Sequence, residues 1–115
     1  MITVELRGLR IYGYHGVNPD EREHGQDFLF DVALDVGDRG ASDRLADAVD
    51  YTEVARTVQE ISDAHAFDLL EALASAVADE MRSRFSAERV TVRVTKPAVK
   101  PAGLEGTASV SVSRP

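Results

Sequence analysis

No cysteine occurs in the 115 residues, which excludes disulfides, thiolate nucleophiles and cysteine-based zinc centres. Clustered positive charge is missing as well: the formal net charge is −7, so neither nucleic acid nor an anionic membrane is expected as a partner. No apolar run approaches the roughly 20 residues that span a bilayer. The N-terminal MITVELRGLR lacks the basic segment and apolar core of a secretory signal, and a cytoplasmic location is expected. A GxSxG elbow, a P-loop and a GxGxxG fingerprint are all absent, which leaves nucleophilic hydrolysis and nucleotide cradling without local support. The three histidines, His15, His24 and His65, stand at spacings that fit no helical metal pair. Neither a metal nor a cofactor is expected. A chain of this length predicts one domain over residues 1–115 with a single core.

Lysine is scarce too. Only Lys96 and Lys100 occur, both inside Thr95-Lys96-Pro97-Ala98-Val99-Lys100-Pro101, and the eleven other basic side chains are arginine. Arginine stays protonated at any physiological pH, whereas a partly desolvated lysine can give up its proton and act as a base. Taken alone, the segregation is equally the mark of a compositional bias with two lysines on a solvated loop.

What is present is a change of period along the chain. Ile2, Val4 and Leu6 alternate with polar residues, and Leu9 and Ile11 resume the spacing after Gly8; Phe28, Phe30, Val32, Leu34 and Val36 alternate likewise. This is the pattern of strands with one buried face. Val54, Val58 and Ile61 then recur at helical spacing, as do Leu70, Leu73, Val77, Met81 and Phe85, predicting two helices. Asp50 with Glu53, and Asp68 with Glu71, have the spacing of capping boxes at their starts. Alternation returns with Val90, Val92 and Val94, and again with Ala108, Val110 and Val112. The order strand, strand, helix, helix, strand, strand predicts an α+β fold, a mostly antiparallel four-stranded sheet with both helices on its apolar face. Thr3, Glu5, Arg7, Asp31, Asp35, Arg93 and a serine row fall on the other face, which should meet water or a polar lumen.

Between the first two strands, residues 12–27 hold three glycines, Pro19 and many charges, too polar for core and long enough for a functional loop. From these residues alone, a connecting turn accounts for Tyr12, Tyr14 and His15 better than direct catalysis does, and Glu21 reads as a solvated charge. Glu71 fits two roles, a capping residue or a carboxylate pairing with adjacent N–H donors of a flat ligand, and the spacing does not choose. Tyr51, at a helix start, is either a half-buried aromatic or a phenol placed for proton transfer.

Together these pieces resemble the dihydroneopterin aldolase family. YGYHG at 12–16, Glu21, Gly25, Gln26, Phe28 and Asp31, VDY at 49–51, LLEALA at 69–74 and TKP at 95–97 stand in that family's order and spacing, over nearly the whole chain. The resemblance implies a tunnelling fold, with β-β-α-α-β-β subunits joined by sheet edges into tetrameric rings that stack as a homo-octamer, sites lying between subunits. It implies retro-aldol cleavage of 7,8-dihydroneopterin, in folate synthesis, to 6-hydroxymethyl-7,8-dihydropterin and glycolaldehyde. The substrate's own ring C=N bond is the electron sink, so neither a metal nor a lysine Schiff base is called for, and the protein supplies positioning and proton transfer.

By the same resemblance, Lys96 takes the proton of the 2′-hydroxyl, Tyr51 of a neighbouring subunit relays a proton, and Glu71 with the Leu70 main chain binds the pterin. Glu21 lines the substrate's side-chain end. Lys100 departs from the family, which more often has proline there. A triphosphate-preferring epimerase of the same fold and an inactive pterin-binding ring are the alternatives. The intact YGYHG speaks against the first, and Lys96, Tyr51 and Glu21 together speak against the second.

Overall fold

The computed structural model describes all residues from Met1 to Pro115. Strands β1 (Thr3–Gly13), β2 (Gln26–Asp35), β3 (Arg89–Val99) and β4 (Gly106–Arg114) lie side by side in that order, each antiparallel to its neighbour. A six-residue helix, α1 (Pro19–His24), links β1 to β2. Two longer helices, α2 (Tyr51–Ala64) and α3 (Leu70–Phe85), fill the connection from β2 to β3. Both pack on one face of the sheet, α2 over β1 and α3 over β3 and β4. The α+β architecture expected from the period is the one observed.

Alternation decides which face is covered. Phe28, Phe30, Val32 and Leu34 of β2 and Val90, Val92 and Val94 of β3 are buried beneath Val54 and Val58 of α2 and Leu73, Val77 and Met81 of α3. Each such side chain contributes about 1.5–3 kcal/mol by leaving water, which fixes the helices to the sheet. Ile61 and Phe85, at the margins of the helical stripes, are half-buried. The opposite face is polar as expected: Glu5, Arg7, Asp31, Thr91, Arg93 and Ser111 line a shallow concavity there. No helix is long and apolar enough to cross a membrane.

The apolar positions of β1 shift from even to odd numbers at Gly8, and the structure supplies the reason. Leu6 pairs with Val32 but Leu9 with Phe30, so β1 carries one extra residue, a β-bulge. Gly8 adopts φ 63°, a left-handed conformation that side chains resist, and its N–H donates to the Asp31 carboxylate at 2.7 Å. The bulge returns Leu9 and Ile11 to the inner face.

The helix starts differ from expectation. Asp50 does cap α2, accepting from the Thr52 N–H at 2.9 Å, but Glu53 pairs with Arg56 instead of reaching back. Asp50 therefore caps the helix through its second residue, and the box itself does not form. At α3 the N-cap is Leu69, whose apolar side chain makes no cap bond, and Asp68 pairs with Arg22 of α1 instead. The second box does not form, and Glu71 is therefore not a capping residue. At the other end of α3, Arg39 donates to the Phe85 carbonyl at 2.7 Å and to the Ser86 carbonyl at 3.3 Å, a cation on the negative end of the helix.

Candidate active site

Residues 12–27, read from the sequence as a loop, are the end of β1, a short turn, α1 and the start of β2. α1 buries none of its residues. Its first turn is set by Asn18, by Pro19 at the first helical position, where a missing N–H costs nothing, and by Glu21, whose Oε1 accepts from the Asn18 N–H at 3.3 Å. The helix thus presents Glu21 to the end of β3.

There Lys96 meets it. Lys96 follows Val90, Val92 and Val94 on the inner face of β3 and is the first polar member of that row; its Nζ donates to Glu21 Oε2 at 2.6 Å. Gln26, the first residue of β2, donates to the same oxygen at 3.0 Å. Both charged side chains are largely shielded, Lys96 at 15% exposure and Glu21 at 24%. Burial by itself pushes the Glu21 carboxyl up, but the bonds from Lys96, Gln26 and the Asn18 backbone, with the Lys96 charge, outweigh it and hold it below the ordinary 4.5. Glu21 is accordingly an ionised, fully engaged carboxylate.

A cleft of about 570 Å³ opens over this pair, lined also by Asn18, Leu70, Val99, Lys100 and Ala108. Leu70 is the first residue of α3, and Glu71 beside it is exposed, free of any capping role. Tyr51 is elsewhere. It stands 62% exposed at the start of α2, and α2 rises roughly 16 Å before Ser62 reaches His15 near the cleft end of the sheet. The structure thus brings Lys96, Glu21 and Leu70 to one cleft, while Glu71, next to Leu70 in sequence, and Tyr51 are exposed and do not line it.

The YGYHG segment builds the frame. His15 is fully buried; its Nδ1 accepts from the Phe67 N–H at 3.0 Å, and Nε2 lies 2.9 Å from the Ser62 hydroxyl. Since a backbone N–H occupies Nδ1, the proton sits on Nε2 and the ring is neutral. It clamps the segment before α1 to the end of α2 and to the connector leading into α3. A Cβ at Gly13 would lie 2.9 Å from the His15 ring, and one at Gly16 would lie 2.5 Å from Glu21 Oε1 and 2.9 Å from Glu21 Cβ. One glycine makes room for the imidazole and the other for the carboxylate. Gly16→Ala is therefore expected to displace Glu21 from Lys96 and to lower stability by on the order of 1–3 kcal/mol, readable by denaturant unfolding; an unaltered midpoint would show that the segment yields freely.

Burial, helped by the neighbouring His65, Lys96 and Arg22 charges, lowers the His15 pKa from 6.5. The unfolded chain takes up that proton near pH 6.5 and the folded chain does not, so this contribution to stability is complete above pH 6.5 and is lost as pH falls below it. Unfolding free energy of the parent protein is expected to drop between pH 7.5 and 5.5, and that of His15→Gln to drop less. Equal slopes for the two proteins would assign the effect to other groups.

Asn18, Gln26, Arg22 and Gly16 were not singled out by sequence as parts of the site. Asn18-Pro19 with Glu21 carries the signature of a helix start, a signal that was there to be read. The ion pair of Arg22 with Asp68 had no local signal.

The subunit is a tunnelling fold whose cleft carries a shielded lysine–carboxylate pair. The family model of dihydroneopterin aldolase matches residues 4–113, and the chain belongs to that family. It is 41% identical over 99 residues to the dihydroneopterin aldolase of Streptomyces coelicolor, covering 84% of this chain and 83% of that one. To dihydroneopterin aldolase 2 of Arabidopsis thaliana it is 37% identical over 90 residues, 74% and 69% of the two chains. Among solved structures, Escherichia coli dihydroneopterin aldolase in complex with neopterin superposes over the whole of both chains with a TM-score of 0.88 at 27% identity. The activity is aldol cleavage of dihydroneopterin in folate synthesis.

Proposed function

We propose that 7,8-dihydroneopterin is cleaved in the cleft over Lys96, by general acid and base catalysis. The observation that carries this is the 2.6 Å contact of Lys96 with Glu21, which joins the chain's one shielded ammonium to a carboxylate on a separate element. Lys96, having first given its own proton to solvent, acts as the neutral amine and takes the proton of the 2′-hydroxyl, directly or through water. The C1′–C2′ bond then breaks, its electron pair entering the ring C=N system, and glycolaldehyde leaves. Proton delivery to C1′ completes 6-hydroxymethyl-7,8-dihydropterin. Glu21 holds the Lys96 amine in place and lines the side-chain end, while Glu71 and the Leu70 main chain receive the pterin; that the E. coli relative was solved in complex with neopterin supports a pterin as the ligand. Incubating the pure protein with dihydroneopterin should release glycolaldehyde, whereas formation of the 2′-epimer alone would identify an epimerase.

The working form in this proposal is a ring of subunits, four to a ring and two rings stacked, in the cytoplasm. β1 and β4 are both edge strands, eleven and nine residues long, whose open hydrogen-bonding sides need partners. Tyr51, too far from Lys96 along its own chain, then serves a neighbour's site. Co-expressed Lys96→Ala and Tyr51→Phe subunits are expected to regain activity in about a quarter of sites under random mixing. Verified mixed oligomers no more active than the separate variants would place Tyr51 outside the chemistry.

A further inference from the structure

Both lysines of the chain border the same cleft, and only one of them is paired. Lys96 is engaged by Glu21, whereas Lys100 forms no ion pair although it lines the cleft with Lys96. The ionisable groups lining that cleft are Glu21, Lys96 and Lys100. Among these lining residues one carboxylate faces two lysines, in a chain whose net charge is −7. Glu105 borders a neighbouring hollow of the β3–β4 hairpin together with Lys100 but does not neutralise it. Nor is Lys100 on a loose loop: its carbonyl accepts from the Gly103 N–H at 3.1 Å, in a single helical turn over Pro101–Gly103, so the hairpin fixes where the side chain starts.

An unpaired ammonium beside a shielded ion pair is a subsite for an anion. Lys100 lies roughly 10–13 Å beyond Lys96 along the strand, on the rim. A side chain whose 2′-hydroxyl meets Lys96 has only its terminal 3′ carbon left to extend toward that rim, and the anion that a 3′-hydroxyl carries most simply is a phosphate ester.

Resting on the aldol-cleavage reading, we propose that Lys100 is a specificity-determining residue that binds a phosphate on the 3′ end of the substrate. The preferred substrate is then a phosphorylated dihydroneopterin. The reaction balances unchanged: the 2′-hydroxyl loses its proton, the C1′–C2′ bond breaks into the ring C=N system, and C1′ is protonated. The ester bond stays intact, and the second product is glycolaldehyde phosphate.

The test measures binding first, by quenching of pterin fluorescence, with neopterin and neopterin 3′-monophosphate as probes. The phosphate ester is expected to bind roughly ten-fold tighter, with the advantage shrinking as salt screens the exposed charge. Lys100→Ala should bring the ratio close to one and Lys100→Arg should keep it. Equal binding of the two probes by the parent protein, or a preference that survives Lys100→Ala, overturns the subsite. Turnover of unphosphorylated dihydroneopterin, followed separately, tests the underlying reading. A protein that cleaves dihydroneopterin but binds both probes alike loses the subsite alone; one that prefers the phosphate but releases no aldehyde keeps the subsite and loses the aldolase mechanism.

Discussion

Turnover of dihydroneopterin by Lys96→Arg is expected to fall roughly 10² to 10⁴-fold, the range of a lost general acid–base group. The substitution is chosen because it separates charge from proton transfer. A guanidinium retains the positive charge facing Glu21 and can hold the carboxylate with a planar fork of donors, but it does not release a proton near neutral pH. The ion pair across α1 and β3 is thus preserved, and stability and pterin binding should stay close to those of the parent. Steady-state kinetics beside equilibrium unfolding would make the distinction: a fall in kcat with an unmoved unfolding midpoint fits a proton carrier. Near-normal turnover in the arginine protein would remove Lys96 from that role.

Glu71→Gln should produce the second large effect, a loss of pterin affinity of a hundred-fold or more, on the order of 3 kcal/mol for two charge-assisted hydrogen bonds. Glutamine has the shape of glutamate but turns one acceptor into a donor, and that donor would face the pterin's own N–H groups. The cost to the fold should be small, because Glu71 is exposed at the start of α3 and Asp68, bound to Arg22, leaves it no capping duty. Fluorescence titration with neopterin, run beside thermal unfolding, measures both quantities. A destabilised protein with unchanged affinity would make Glu71 structural after all.

What could be read from the sequence follows what is periodic in it. The inner rows of β2 and β3 and the stripes of α2 and α3 repeat because burial repeats, whereas the resumption of spacing after Gly8 takes its meaning as a bulge only from the strand pairing. α1 left no such trace, since a six-residue helix that buries nothing has no apolar stripe to repeat. Its only marks are the Asn18, Pro19 and Glu21 of its first turn. Capping spacing misled at Asp68 for the converse reason: Arg22, 46 residues earlier, takes the carboxylate that local spacing had given to the helix. The site itself was legible only as a set of residues. Family resemblance supplied Lys96, Glu21, Glu71, Leu70 and Tyr51, but the contact of Lys96 with Glu21, 75 residues apart, is made where the α1 connection between β1 and β2 comes beside the end of β3, which no spacing encodes.

Glu21 spends one oxygen on the Asn18 N–H that starts α1 and the other on Lys96 and Gln26. A helix this short has no stability of its own, so it leans on outside contacts, the bonds of Glu21 and the Arg22–Asp68 pair among them. The two properties are therefore coupled through Glu21. A substitution that loosens Glu21 to ease the passage of protons also loosens the segment that carries it, and one that tightens the segment restrains the amine. Adaptation to another temperature or another substrate should accordingly proceed through paired changes, one at Glu21 or Lys96 and a compensating one at Asn18, Gln26 or Arg22, rather than through single replacements.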